Sequence, residues 1–523
     1  MKLKRLWIKK YQILEDLEIV FGDSDYLPPS PNIQLFIGLN GSGKSSALEA
    51  IGSIFSHLAL GISPGFDFEM EYEIFEYKVM ITTYPETSEI PLISTISAAV
   101  HVEELKTEKG YYLREWSPEL QGLLPDRIVG YSAGPTSDLH WVLSQSVQQW
   151  VLQQLGDIEL ETMPEHMSVA EWDEERKSYE EEAKQRLTML LDNPRTLFLS
   201  SVDAMMAFFP LLLINKSERL SYSRARDNLL ELVGIEIDQP IFSFTLKVSG
   251  DWAAILTKDK KITFEHFLKQ ANVCVLIDEV DSMDSEVTNE EAVQDFYAIF
   301  DWRVEILGLL LPYNQITPLQ LFDEMMAWKR QGALKDLQLV INKVGNQGLL
   351  LNSSLSDGEY LLLGRMALLI LLQEVNESLI ILDEPETHLN DRWKRELISR
   401  IYNYLERQDQ EKNSHQIIIA THSAITLTDA DDSMVVVFKK NEGKVVVRGL
   451  ASSVFGANLI HVTEEITEEN FSVGQFANEW VHQYVDKYRD DKEKLKQLLE
   501  IVGPGVLRLY VIEAIRRIKK DVT

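Results

Sequence analysis

At 523 residues, with 45% hydrophobic and 25% charged residues, the chain has the make-up of a globular protein large enough for two or three lobes. Its 51 basic against 82 acidic residues leave a net charge of −31, a poor overall field for gripping a phosphate backbone. The single cysteine, Cys274, excludes an internal disulfide framework, suits a reducing cytosol and, inside the apolar run CVLI, reads as core.

The chain opens on MKLKRLWIKK, a basic stretch with no signal-type apolar run after it, so a cytoplasmic protein is expected. Lys2, Lys4, Arg5, Lys9 and Lys10 cluster here, as Arg516, Arg517, Lys519 and Lys520 do near the other end. Any nucleic-acid contact falls to such local patches or to a partner. The apolar runs MMAFFPLLLI (205–214) and LLLGRMALLILL (361–372) are too short to cross a membrane and are interrupted by Pro210 and Arg365.

After the turn-rich YLPPSPN comes an apolar strand over 33–37, then Gly38-Leu-Asn40-Gly41-Ser-Gly43-Lys44-Ser45-Ser46, then an amphipathic helix. This fits G-x-x-x-x-G-K-[ST] between strand and helix. The glycines let backbone N–H groups turn inward around phosphates at the positive end of a helix, Lys44 reaches the outer phosphates, and Ser45 offers a hydroxyl to Mg²⁺. A nucleoside triphosphate, ATP with Mg²⁺, is the expected ligand.

Two later stretches compete to hold that metal. CVLIDEVDSMD (274–284) and IILDEPETHLN (380–390) both read as strands ending in Asp-Glu. Only the second has a setting. Before it lies a strand, a turn, another strand, then Leu355-Ser356-Asp357-Gly358-Glu359 and a buried helix; after it HQIIIATHS ends in Thr421-His422-Ser423. The first reads as a strand of an inserted region ending in a solvated acidic turn. Its AAA+-like alternative, with Asp278 and Glu279 serving, leaves LSDGE and IIIATHS without roles.

This order of motifs resembles the nucleotide-binding head of ABC-type ATPases of the SMC, RecF and OLD branch. The resemblance covers roughly 1–60 and 340–425. It implies an α/β fold, an ABC-type P-loop head with a large, mainly helical insertion and a small C-terminal extension. The blocks implied are 1–138 and 337–450 for the head, 139–336 for the insertion, and 451–523 for a helical extension suited to partner docking. It further implies Asp383 with Ser45 on Mg²⁺, Glu384 as the base for water, and His422 as the γ-phosphate sensor. Ser356, Asp357, Gly358 and Glu359 become the signature that completes a second protomer's site, hence a homodimer or larger assembly closing on ATP. The Q-loop glutamine falls among Gln145, Gln148 and Gln149, with nothing to fix the choice.

No heptad pattern supports a long SMC arm, and Asp429-Ala430-Asp431-Asp432 follows the switch strand too closely for a Toprim nuclease, reading instead as a capped turn. GYSAG (130–134), FGANLI (455–460) and SVGQFA (472–477) are similar to the restriction-system-associated ATPases, including the PtuA-like ATPases of Septu and retron antiphage systems. That likeness implies a separate HNH-type nuclease partner gated by nucleotide state, no intrinsic nuclease and no membrane association. The alternatives are a RecF-like repair ATPase acting on DNA directly, or a nucleotide-gated scaffold with little turnover.

Overall fold

The protein is described by a computed structural model covering residues 1–24, 31–60, 63–83, 98–104, 110–113, 118–132, 138–145, 172, 176–178, 195–212, 220–277, 294–301, 317–345, 349–405, 414–467 and 473–520. From the N-terminus run β1 (Lys2–Tyr11), β2 (Leu14–Val20) and β3 (Asn32–Ile37), then the helix Lys44–Leu60. Next come β4 (Phe68–Ile74), β5 (Tyr77–Thr83), β6 (Ala98–Glu104), β7 (Gly110–Leu113), β8 (Arg127–Ser132) and β9 (Thr196–Leu199). The following strands are β10 (Ile241–Val248), β11 (Val273–Leu276), β12 (Phe296–Asp301), β13 (Leu334–Asn342) and β14 (Leu349–Leu351). The last are β15 (Glu377–Asp383), β16 (Ser414–Thr421), β17 (Val435–Asn441) and β18 (Lys444–Arg448).

A seven-stranded sheet in the order β18-β17-β3-β16-β15-β8-β9 carries the site. All its neighbours are parallel except the β17–β18 hairpin. Such a sheet is covered on both faces, which explains continuous apolar strands such as ESLIILD and HQIIIAT, buried along nearly their whole length. On one face the helix Lys44–Leu60 packs Leu48, Ile51 and Phe55 toward Phe68, Met70 and Tyr72 of an antiparallel sheet ordered β2-β1-β4-β5-β6-β7. The other face is covered by the helix Ala204–Leu212, every residue of which is buried, and by the helix Asp357–Leu371.

The region 139–336 supplies helices and, besides the strand read at CVLI, further strands that the sequence did not reveal. β9 forms an edge of the parallel sheet, and β10, β11, β12 and the start of β13 build an antiparallel sheet ordered β11-β12-β10-β13-β14. Aromatic side chains hold this sheet to its helices. Phe244 and Phe300 stack with centroids 4.5 Å apart, and Phe267 and Phe264 pack on Trp328 at 5.6 and 4.8 Å.

One expectation is corrected. Cys274 is not core: among the described residues β11 pairs only with β12, at the sheet edge, and all four of its residues, Cys274 included, are exposed. The N-terminal basic cluster is not a free cationic patch either. Lys2 and Lys4 pair with Asp23 at 2.8 and 2.7 Å, Arg5 with Glu18 and Glu69 at 2.6 and 2.8 Å, Lys9 with Asp67 at 2.7 Å, and Lys10 with Glu15 at 3.7 Å. The antiparallel neighbours of β1 carry Glu15, Glu18 and Glu69, and Asp23 and Asp67 lie just beyond the ends of those strands, so the cluster is locally neutralised.

Beyond the β17–β18 hairpin, a helix at Leu459–Thr467 precedes three more, Gln475–Lys487, Lys492–Ile501 and Val506–Lys520. These three enclose a separate small core of Val481, Val485, Leu495, Leu498, Leu507 and Val511. Leu507 is therefore core. Phe455, Leu459, Phe476, Trp480 and Val506 remain exposed, while Phe471 lies outside the described residues. Asp431 caps the short turn Asp432–Met434 by accepting from the Ser433 N–H, as a capped turn requires. No helix among the described residues is long and apolar enough to cross a membrane.

Candidate nucleotide site

Register brings the site together. In the parallel ladders Ile37 sits level with Thr421, and Asp383 with Ala420. The loops after β3, β15 and β16 therefore emerge side by side at the carboxyl edge of the sheet, where α/β folds hold their ligands.

The loop after β3 is a cradle. Gly38, Gly41 and Gly43 have φ of 149°, 76° and 103°, and a Cβ on Gly43 would lie 3.0 Å from Val445 and 3.1 Å from Leu14. Leu39, Asn40 and Gly41 are exposed at its tip, while the Ser42 hydroxyl is buried in the loop without a hydrogen-bond partner. The Lys44 ammonium donates to the carbonyls of Gly38 at 2.8 Å and Leu39 at 3.2 Å. Burial holds it below the usual lysine value, against the opposing pull of Glu384, Asp383 and Glu386. An unpaired hydroxyl, a lysine and inward-turning glycines at the start of a helix form the donor set a triphosphate needs.

Ser45 and Asp383, 338 residues apart in sequence, meet here: the Ser45 hydroxyl donates to Asp383 Oδ1 at 3.3 Å. Burial pushes the Asp383 carboxyl up to about 6, the charges of Glu384 and Glu386 adding to it and the Ser45 bond and Lys44 opposing it. Two adjacent protein oxygens suit Mg²⁺, which takes most of its other ligands from phosphates and water. No group of three or more His, Cys, Asp or Glu residues able to hold a metal occurs among the described residues.

Glu384 follows with φ of 48°, its N–H donating to the Ala420 carbonyl at 2.9 Å. Its Oε1 lies 3.0 Å from His422 Nδ1, and His422 is exposed. Beneath that pair the Thr421 hydroxyl donates to Glu386 and accepts from the Ser423 N–H at 2.9 Å. Glu386 is buried, which raises its carboxyl above the ordinary range.

Ser356 caps the helix Asp357–Leu371 in a capping box. Glu359 accepts from its N–H and its hydroxyl, both at 2.9 Å, and the Ser356 hydroxyl receives the Glu359 N–H at 3.4 Å. Burial favours the neutral Glu359 carboxyl, but the bonds from Lys343 and Ser356 outweigh it and hold the group below the usual value. Ser356 and Asp357 are exposed, Gly358 is buried, and none of the four bonds to the loop after β3.

Sequence reasoning missed the residues that brace this frame. Gln12, in the β1–β2 turn at φ 50°, accepts from Ser46 and donates to Glu49, each at 2.8 Å. In the sequence Arg365 reads only as a break in an apolar run, and that lone arginine is the available signal. Gln145 ends a short π-helix, while Gln148, Gln149, Asp278 and Glu279 lie outside the described residues. β11, which leads to Asp278, belongs to the antiparallel sheet and has no neighbour in the sheet of β3.

Comparison with known proteins matches the chain in two blocks. Residues 5–188 match a family model described as "AAA domain", and residues 249–429 match another described as "AAA domain, putative AbiEii toxin, Type IV TA system". Both halves of the site thus match AAA domains. The first match holds the loop 38–45 and the second Ser356, Asp383, Glu384 and His422, each covering about a third of the chain. No curated protein matches. Among solved structures the chain is similar to an SMC head domain from Thermotoga maritima, at 13% identity and a TM-score of 0.30 over 86% of this chain and 100% of that one. A SmcHead bound to the C-winged helix domain of ScpA aligns at 12% identity and a TM-score of 0.30, over 86% of this chain and 98% of that one. Scores this low carry nothing further.

Proposed function

We propose that the chain is an ATP-binding and hydrolysing ABC-type ATPase that works as a dimer and gates a partner nuclease in bacterial defence. The observation that carries the ATPase reading is the meeting of Ser45 with Asp383 and of Glu384 with His422 at the mouth of one glycine cradle. Bound Mg²⁺ would supply charge neutralisation at the β- and γ-phosphates, with Ser45 and Asp383 holding it. Lys44 and the backbone of 38–45 bind the phosphates. Glu384 orients a water and takes its proton, and His422, bonded to Glu384, fixes that carboxylate and reads the γ-phosphate. The exposed Ser356 end of its helix is suited to the γ-phosphate held by a second copy.

Nuclease gating rests on the likeness of GYSAG, FGANLI and SVGQFA to the PtuA-like ATPases, and it is supported by two features. The paired N-terminal bases argue against direct gripping of DNA. Phe455, Leu459, Ile460, Phe476 and Trp480 are exposed apolar side chains near the chain's end, available to a protein partner.

The test has two arms. Purified protein should turn over ATP with Mg²⁺ and leave plasmid DNA uncut; absence of turnover in the dimer would leave a nucleotide-gated scaffold. A neighbouring HNH-type nuclease should co-purify with the full chain and be lost on removal of 472–523, with nucleotide binding unchanged. ATP hydrolysis stimulated by bare DNA, without any nuclease, would replace gating by direct action on DNA.

A further inference from the structure

Residues 384–388 form a strained bridge. Glu384 and His388 have φ of 48° and 67°, and neither is glycine. Non-glycine residues stay in that region only where their surroundings hold them there, at a cost of roughly 1–3 kcal/mol each. The holding groups come from the helix that Ser356 caps.

At its start, Gly358 lies so close to the bridge that a Cβ would sit 2.6 Å from the His388 carbonyl oxygen. Two turns later Arg365, 4% exposed, reaches the same bridge from within. Its guanidinium donates to the Pro385 carbonyl, approaches the Thr387 carbonyl at 3.4 Å from both terminal nitrogens, and donates to the Tyr131 hydroxyl. Its Cζ also lies 4.4 Å from the centre of the Tyr131 ring. Within the bridge Thr387 donates to Glu384 Oε2 at 3.5 Å. A buried guanidinium spent on backbone carbonyls, with no carboxylate bonded to it among the described residues, costs more than an apolar residue of like size. That cost points to a role in placing the bridge.

We propose that Arg365 is a positioning residue which couples the Ser356 end of its helix to the Glu384 of the same protomer. A phosphate held at Ser356 belongs to the opposite site, so engagement there sets the carboxylate in the protomer's own site. The two sites then act in concert. This rests on the ATPase reading above and adds to it which residue carries the coupling and in which direction.

The test compares wild type with Arg365→Lys and Tyr131→Phe, the latter keeping the ring and losing only the hydroxyl that Arg365 bonds. Measured quantities are kcat, KM and Hill coefficient for ATP, with affinity for a fluorescent ATP analogue. Wild type should be cooperative, with a Hill coefficient between about 1 and 2 for a dimer. Arg365→Lys should lower kcat roughly 10- to 100-fold, the penalty of about an ångström of misplacement, and bring the Hill coefficient to 1. Tyr131→Phe should shift both in the same direction but less, and analogue affinity should stay within about threefold in both. Loss of affinity in step with kcat would make Arg365 merely structural and overturn the proposal. Unchanged cooperativity in either folded variant, or non-cooperative wild type, would overturn it too. If Arg365→Lys fails to fold, Tyr131→Phe decides. Wild type that binds but never hydrolyses ATP would instead sink the ATPase reading, leaving coupling to be read from cooperative analogue binding.

Discussion

β15 and β11 begin from nearly the same letters, LIILDE and CVLIDE, and end in opposite circumstances. β15 lies between β16 and β8, parallel to both, with six of its seven residues buried. β11 lies at the edge of an antiparallel sheet with all four residues exposed. An Asp-Glu ending acquires chemistry only where neighbouring strands deliver a phosphate cradle on one side and a polar sensor on the other. Local sequence names a strand; its neighbours in the sheet assign its work.

The sharpest way to break this contrast is to remove one carboxylate from each. Glu384→Gln should slow hydrolysis by roughly 10²- to 10⁴-fold while sparing ATP binding, since Asp383 is untouched. Glu279→Gln should leave the rate within twofold in a steady-state phosphate-release assay. The reverse pattern would move the site to the other strand.

A somewhat smaller effect tests the division of labour between copies. Lys44→Ala and Ser356→Arg proteins should each be inactive, and mixing them should restore partial ATPase activity through one intact composite site if subunits exchange. Activity of Ser356→Arg alone would show that each protomer works unaided.

The third prediction uses Asp383, whose carboxyl is pushed up to about 6 by burial. Below that value a proton occupies the oxygen Mg²⁺ needs, so Mg²⁺-dependent nucleotide affinity should fall as pH drops through about 6 and be constant above it. For the metal-free fold the sign is reversed. The unfolded carboxyl titrates near about 4, so this group's contribution to stability is greatest below about 4 and declines as pH rises toward 6. Titrations with and without Mg²⁺ at pH 5 to 8 would separate the two.

The smallest effect is expected at the other strand. Leu276→Ser, on the exposed edge, should change stability by less than about 0.5 kcal/mol, whereas Phe300→Ala beneath the same sheet should cost about 3–5 kcal/mol. Equal losses in urea melts would mean that β11 is covered in solution.

The cradle was readable because glycine, lysine and serine at fixed spacing have few other uses, and β15 and β16 because two-sided burial leaves an uninterrupted apolar run. The antiparallel sheet reaching into 139–336 was readable only in pieces: CVLI and the strand pair before LSDGE read as strands, but β10 and β12 did not, and β10 pairs with strands far off in sequence. The role of Arg365 was not readable because it depends on contact with Tyr131, 234 residues away.

The strand order β17-β3-β16-β15-β8-β9 has a consequence for synthesis. β3 ends at Ile37 flanked by β16 and β17, neither of which exists until the ribosome has passed residue 414. At typical elongation rates that interval is on the order of tens of seconds, during which Ile33, Leu35 and Phe36 have no partners on either edge of their strand. A nascent chain in this condition calls for chaperone protection. Expression at lower temperature or with added chaperones should raise the soluble yield of the full chain.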